Sequence, residues 1–471
     1  MNTRPKLSQI LFLLVLLLGV PVSVYLVGRV TGFFGRASGT PANLIIDMSA
    51  SYSRSPLVWQ NLAQGGEENG RMLASVIAKV KPLRPKYVRL DHIFDYYGTV
   101  KKENGQVVFD FTKLDQTISD ITAMGAKPML SLSYMPPSFN KSGNTTENPD
   151  NWGDWEYLVQ KTIEHVSGNK GLNLSGVYYE VWNEPDLFGK YKTYGSKNYL
   201  DLYSHSAIGA SRAASVNAFK FGGPATTALY ENWVTTLLKF VSDNNLRMDF
   251  FSWHRYSKNL DDYEKDAVNF KTWSAPFPIA ANLETDITEI GPNGDVDKVY
   301  DTGFSALHTI ATSAVLEDKI DKTFIFEIKD GIGPSQYWGR WGIFTNDKFG
   351  DPIAKPRFSA ITFLNNMIGN KVNVIGQGSW VKAFAKNDGK TTRTLVVNYD
   401  PNGSHTEAVP LNFVNIPQAS ASSALRTFQF RRLDYGGGIS LSLTMATDSA
   451  NWSTLQNMNP NTAAIFEITP Q

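Results

Sequence analysis

Val177-Tyr178-Tyr179-Glu180-Val181-Trp182-Asn183-Glu184-Pro185-Asp186 is the stretch on which the fold turns. Residues 177–182 are mostly β-branched or aromatic with no polar alternation, which predicts a strand buried on both faces. Pro185, lacking an N–H for a ladder, stops it. A strand of that kind sits in a parallel sheet beneath crossover helices. Similar runs lie on either side, at 44–48, 87–90, 128–132, 219–222, 250–253, 279–287 and 323–327. Amphipathic stretches fall between them, at 70–80, 113–124, 152–166, 198–215, 232–242, 261–273 and 304–315, with a last one at 357–367. Eight β–α repeats over residues 42–368 predict an α/β chain with a (β/α)₈ TIM barrel, a length that suits such barrels at about 200 to 400 residues. Beyond it the character shifts to short strands without helices, at 394–398, 425–430 and 463–468. Turn signals at Asp400-Pro401-Asn402-Gly403 and Gly436-Gly437-Gly438 separate them, predicting a C-terminal antiparallel β-sandwich domain over 369–471.

The N-terminus has its own signal. Leu7 to Gly28 carries no charge and includes the run Ile10-Leu11-Phe12-Leu13-Leu14-Val15-Leu16-Leu17-Leu18. As a helix it covers about 33 Å, enough for a hydrocarbon core of about 30 Å. An N-terminal transmembrane helix is therefore expected, with residues 1–36 as membrane anchor and linker and the rest of the chain outside the cytoplasm. A cleaved signal peptide, giving a secreted protein, is the competing reading; its apolar region is usually shorter and ends at a small-x-small site.

Composition narrows the chemistry. Lys+Arg and Asp+Glu number 45 and 44, a net charge of +1, so no basic field exists to hold a nucleic-acid backbone. The chain has no cysteine, which excludes disulfides and thiol catalysis. No His/Asp cluster has metal-ligand spacing, no phosphate loop is present, and neither a metal nor a cofactor is expected. Oligomeric state is left open.

In a barrel, reactive groups gather where strands end at the C-terminal rim. Glu184 ends the fourth strand and Glu289 the seventh, in Thr285-Asp286-Ile287-Thr288-Glu289-Ile290-Gly291. Two such carboxyls about 5–5.5 Å apart can cleave a glycosidic bond with retention, one as acid/base and the other as nucleophile. Repulsion between them would raise the pKa of one and leave the other ionised. Glu327, at the end of the eighth strand, is a third rim carboxylate. Trp338 and Trp341, in Tyr337-Trp338-Gly339-Arg340-Trp341, are placed either to stack on a sugar or to cover that strand.

Val181-Trp182-Asn183-Glu184-Pro185-Asp186-Leu187 resembles the acid/base signature of clan A glycoside hydrolases. With Phe221-Gly222-Gly223-Pro224-Ala225 it resembles family 39, which includes β-xylosidases and α-L-iduronidases. The likeness recurs in order through Pro85-Lys86-Tyr87-Val88-Arg89, Gly125-Ala126-Lys127-Pro128, Tyr134-Met135-Pro136, Asp249 to Tyr256, Ile287-Thr288-Glu289, Asp301-Thr302-Gly303-Phe304 and Lys355-Pro356-Arg357-Phe358. The resemblance implies an O-glycosyl hydrolase in which Glu184 is the acid/base, Glu289 the nucleophile, and Asn183 a partner of the sugar 2-OH. It also implies that Arg89, with His254 or Tyr256, holds Glu289 ionised. An oligosaccharide or polysaccharide, β-xylosidase-like in linkage, is the implied substrate. Two departures touch the sugar site: Asp91 stands where the family carries a His, with His92 displaced by one, and the eighth strand reads Phe324-Ile325-Phe326-Glu327-Ile328 without the usual Trp. The alternatives are a membrane-tethered carbohydrate-binding protein without turnover and an endo-glycosidase of a neighbouring clan A family.

Overall fold

The computed structural model describes residues 39–51, 57–65, 68, 70–418 and 425–471. The expected membrane span lies outside them. Among the described residues no helix is long and apolar enough to cross a membrane.

Eight parallel strands close into a barrel: Asn61–Gln64, Tyr87–Leu90, Lys127–Leu132, Val177–Val181, Phe219–Thr226, Phe250–Tyr256, Glu284–Gly291 and Lys322–Phe326. The eighth pairs back onto the first, with Phe324 opposite Asn61. Side chains alternate across each strand, so Ala63, Met129, Tyr178, Phe250, Phe324 and Phe326 fill the barrel interior while their neighbours meet the helices. Helix Trp152–Val166 shows how the outer ring forms. Asn151 caps it by accepting from the Gly153 N–H, and Trp155, Leu158, Val159, Thr162, Ile163 and Val166 make one buried stripe. The same Asn cap starts Tyr199–Arg212 and Leu260–Ser274. The expected helix at 70–80 shrinks to Ile77–Val80 between 3₁₀ turns.

The first barrel strand is not where the sequence predicted it. Residues 44–48 belong to strand Leu44–Ser51, which pairs antiparallel with Asn370–Ile375 and parallel with Glu407–Val414 in a separate sheet. Its burial alternates: Leu44, Ile46 and Met48 are buried, Ile45 and Asp47 only half-buried. That is the pattern of a strand covered on one face, not of a barrel strand covered on both. The true first strand, Asn61–Gln64, is short and half amide. Its side-chain amides are satisfied from the neighbouring eighth strand: Asn61 donates to the Thr323 carbonyl at 3.3 Å and Gln64 to Glu327 Oε2 at 3.3 Å. The seventh strand also starts later than expected, because Pro278–Asn282 forms a 3₁₀ turn.

The second unit is a single nine-stranded sheet that recruits Leu44–Ser51 and the strands between Asn370 and Pro470, antiparallel except for the pair named above. Strands Arg426–Asp434 and Trp452–Met458 lie near opposite ends of its order, yet Phe430 and Trp452 rings approach to 4.8 Å. The sheet therefore folds over on itself around a core of its own, which includes Leu411, Phe413, Phe428 and Phe466. It braces the barrel: Lys386 pairs with Glu317 at 2.5 Å in a buried contact, and the Tyr399 hydroxyl donates to the Lys258 carbonyl at 2.9 Å.

Candidate active site

The fourth barrel strand ends at Val181, and the chain then turns through two left-handed residues, Trp182 (φ 74°) and Glu184 (φ 47°). Such conformations persist for side chains with a Cβ only where the surroundings hold them. Here they do. The Trp182 ring is buried and its indole donates to the Phe188 carbonyl at 2.8 Å, while the Trp182 carbonyl accepts from Ser131 Oγ at 2.7 Å. The Glu184 N–H reaches the Ala225 carbonyl at 2.9 Å, and the Glu184 carbonyl accepts from Phe188 at 2.7 Å. The result is a fixed elbow that presents the Glu184 side chain to the barrel mouth.

Glu289, near the end of the seventh strand, meets it there. A carboxylate oxygen of each, with a ring nitrogen of His254, lies within 4.8 Å of the other two. Both line one cavity of about 500 Å³, with Asp91, His92, Tyr134, Asn183, Tyr256, Arg340 and Trp341. A cavity of about 640 Å³ opens beside Lys86, Tyr87 and Lys322, but its Glu284 is already engaged by Lys322 at 2.7 Å. Chemistry rather than size selects the site.

Each Glu289 oxygen has its own donor: Arg89 Nη1 to Oε1 at 2.9 Å and the Tyr256 hydroxyl to Oε2 at 2.8 Å. His254 Nδ1 lies 2.9 Å from Glu184 Oε1 and 3.6 Å from Glu289 Oε2, bridging the pair. Arg89 is fully buried and spends its other nitrogens on Glu180 Oε2 at 2.6 Å and Asn183 Oδ1 at 2.7 Å. Asn183 in turn donates to the Tyr134 hydroxyl at 2.8 Å. One guanidinium on the second strand thus ties together the ends of the fourth and the seventh.

Burial raises the carboxyl of Glu289 above its usual range, His254 and Arg89 pull it back, and Glu184 pushes it up again. Burial also disfavours the His254 imidazolium, but Glu289 and the bond to Glu184 outweigh it and the net direction is up. Desolvation therefore falls on the more enclosed carboxyl, Glu289. A metal could use the Glu184, His254 and Glu289 atoms by distance alone, but Arg89 places a permanent positive charge against Glu289 and opposes a second cation.

The structure brings Glu184, Glu289, Asn183, Arg89, His254 and Tyr256 into one network. It separates the remaining two candidates. Glu327 is buried behind the cavity wall, accepting from Arg340 Nε and Gln64 Nε2 at 3.3 Å each. Trp338 is not among the cavity-lining residues; Trp341 is, with the Arg340 guanidinium stacked 3.8 Å from its ring centre. Tyr134 and Glu180 are partners that the residue types alone did not single out for the site.

Comparison with known proteins agrees with this geometry. The model for the family described as glycosyl hydrolases family 39 matches residues 72–289, which takes in Arg89, the Asn183-Glu184 elbow, His254, Tyr256 and Glu289. A beta-xylosidase of Geobacillus stearothermophilus is 26% identical over 294 residues, 55% of this chain and 56% of that protein. One from Caldicellulosiruptor saccharolyticus is 29% identical over 169 residues, 34% of each. The chain thus spans about half of the first relative and a third of the second. The GH39 enzyme from Xanthomonas axonopodis pv. citri superposes with a TM-score of 0.71 at 20% identity, covering 92% of this chain and 98% of that one, so the two-unit fold is common to both. Over residues 72–289, which hold the residues that build its barrel mouth, the chain is similar to glycosyl hydrolases family 39.

Proposed function

We propose that the chain is a retaining O-glycosyl hydrolase that releases β-linked xylosyl units from oligosaccharides or polysaccharides. The observation that carries this reading is the approach of Glu184 and Glu289 to within 4.8 Å across a single cavity, close to the roughly 5–5.5 Å that double displacement uses. Glu184 gives its proton to the glycosidic oxygen as a Glu289 oxygen bonds to the anomeric carbon and the leaving alcohol departs. Water then attacks that carbon, Glu184 takes the water's proton, and the ester to Glu289 breaks. The donors on both Glu289 oxygens favour its ionised form against the desolvation noted above. Asn183, oriented by Arg89 and Tyr134, is placed to bond a sugar hydroxyl next to the reacting carbon. The beta-xylosidase names of the two relatives supply the choice of sugar. An N-terminal anchor over Leu7 to Gly28 would hold this activity at a membrane, with the barrel outside the cytoplasm.

Trapping tests the assignment. A 2-fluoro xyloside with a good leaving group should label the peptide that contains Glu289. A label on the Glu327 peptide moves the nucleophile to the eighth strand. No label, with no release from a panel of aryl glycosides, returns the chain to the binding-protein alternative.

A further inference from the structure

Arg357 stands near the start of helix Pro356–Leu364 and its side chain is fully buried. A buried cation is ordinarily matched by a carboxylate. Two residues earlier, Lys355 follows that rule, paired with Asp330 at 2.9 Å and Asp301 at 2.7 Å, and it also donates to the Arg340 carbonyl at 2.6 Å. Arg357 does not. Its hydrogen bonds go to neutral oxygens: Nη1 to the carbonyls of Phe326 at 2.7 Å and Trp341 at 3.1 Å, Nη2 to the carbonyl of Ile290 at 3.0 Å, and Nε to Thr309 Oγ1 at 3.4 Å.

The three carbonyls are informative. Ile290 follows Glu289, Phe326 precedes Glu327, and Trp341 lines the cavity beside Arg340. They belong to three separate segments, and the donors of one rigid plane reach all of them, a geometry that a lysine ammonium on a flexible stem does not reproduce. We propose that Arg357 is a positioning residue for glycosyl transfer: it fixes the main chain carrying Glu289 against the main chain carrying Glu327 and Trp341, and so sets how far the attacking oxygen stands from the sugar-facing wall. The proposal rests on the function argued above. Its energetic logic is that a displacement of about 1 Å at a reacting atom costs on the order of a hundredfold in rate, whereas ground-state binding tolerates it better.

The test uses the full chain with Arg357→Lys and Arg357→Gln, the second avoiding an unmatched buried charge. Competent sites are counted by titration with the 2-fluoro xyloside, and kcat per counted site and KM are then measured on an aryl xyloside. For positioning, turnover per counted site falls about 10- to 100-fold while KM stays within about threefold of the unaltered protein. If Arg357 only holds the fold, the variants show fewer countable sites and a lower Tm, but each remaining site turns over at the normal rate; that result overturns the proposal. Loss of folding in both variants overturns it as well, because the guanidinium would then serve the barrel rather than the site. Failure of the underlying function is seen separately, as an unaltered protein that neither labels nor turns over.

Discussion

Replacing Tyr256 by Phe isolates one contribution to the electrostatics of Glu289, the proposed nucleophile. The hydroxyl donates to Glu289 Oε2 at 2.8 Å, and burial together with the adjacent Glu289 pushes its own ionisation well up, so it stays a donor throughout the working pH range. A hydrogen bond to a charged group contributes about 1.5–3 kcal/mol. Because it favours the ionised carboxylate, its loss raises the pKa of Glu289, and at about 1.36 kcal/mol per unit the rise is about 1–2 pH units. Arg89 Nη1 still holds Oε1 at 2.9 Å, so the side chain keeps its place and the effect is electrostatic rather than geometric. The pH dependence of kcat/KM reads the free enzyme. In Tyr256→Phe its acidic limb should move upward by about 1–2 pH units, with much of the activity recovered on the alkaline side. An acidic limb that stays where it was, with activity lowered equally at every pH, would refute the reasoning and leave Arg89 as the group that keeps Glu289 ionised.

The remaining predictions address the partner carboxyl and the barrel interior. Glu184→Ala should lower turnover of substrates with poor leaving groups by about 10²–10⁴-fold, the usual contribution of a positioned acid/base, while activated aryl glycosides still form the intermediate and azide speeds its breakdown; unchanged turnover removes Glu184 from the mechanism. Asp286 lies three residues before Glu289, fully buried, with Lys322 Nζ at 3.6 Å and no hydrogen bond to either carboxylate oxygen among the described residues. Burial lifts it from 3.8 to about 7. An acid raised on folding contributes fully while protonated in both states, and stability is lost as pH rises from about 4 to about 7, by up to about 4 kcal/mol. Asp286→Asn abolishes that loss, so its Tm relative to the unaltered protein should improve between pH 4 and pH 8; an equal difference at both pH values defeats the assignment.

How much of this was legible in the sequence depends on where each side chain finds its partners. Strand Val177–Val181 could be read because burial on both faces is written into its own residues, and Pro185 marks where the rim begins. Glu184 and Glu289 follow from such strand ends plus the rule that barrels react at that rim. Asn61–Gln64 could not be read the same way. Two of its four residues are amides whose bonding partners stand more than 260 positions away, at Thr323 and Glu327, so no local period announces a strand. Residues 44–48 misled for the converse reason: a short run of four apolar residues interrupted by Asp47 looks alike whether one face is covered or two, and only the sheet formed with residues beyond 370 decides it. The rim shows the same division. Arg89, His254 and Tyr256 sit on strands near the carboxylates they serve, and motif order finds them. Trp341 and Trp338 share one loop, and the distinction between them lies in carbonyls gripped by Lys355 and Arg357 from another part of the chain. Main-chain oxygens are identical at every residue, so a sequence carries no mark of which ones a buried cation will choose. On the proposed role of Arg357, reaction geometry rests partly on groups whose own residue types say nothing about catalysis, and those groups are found only by asking where each buried charge ends.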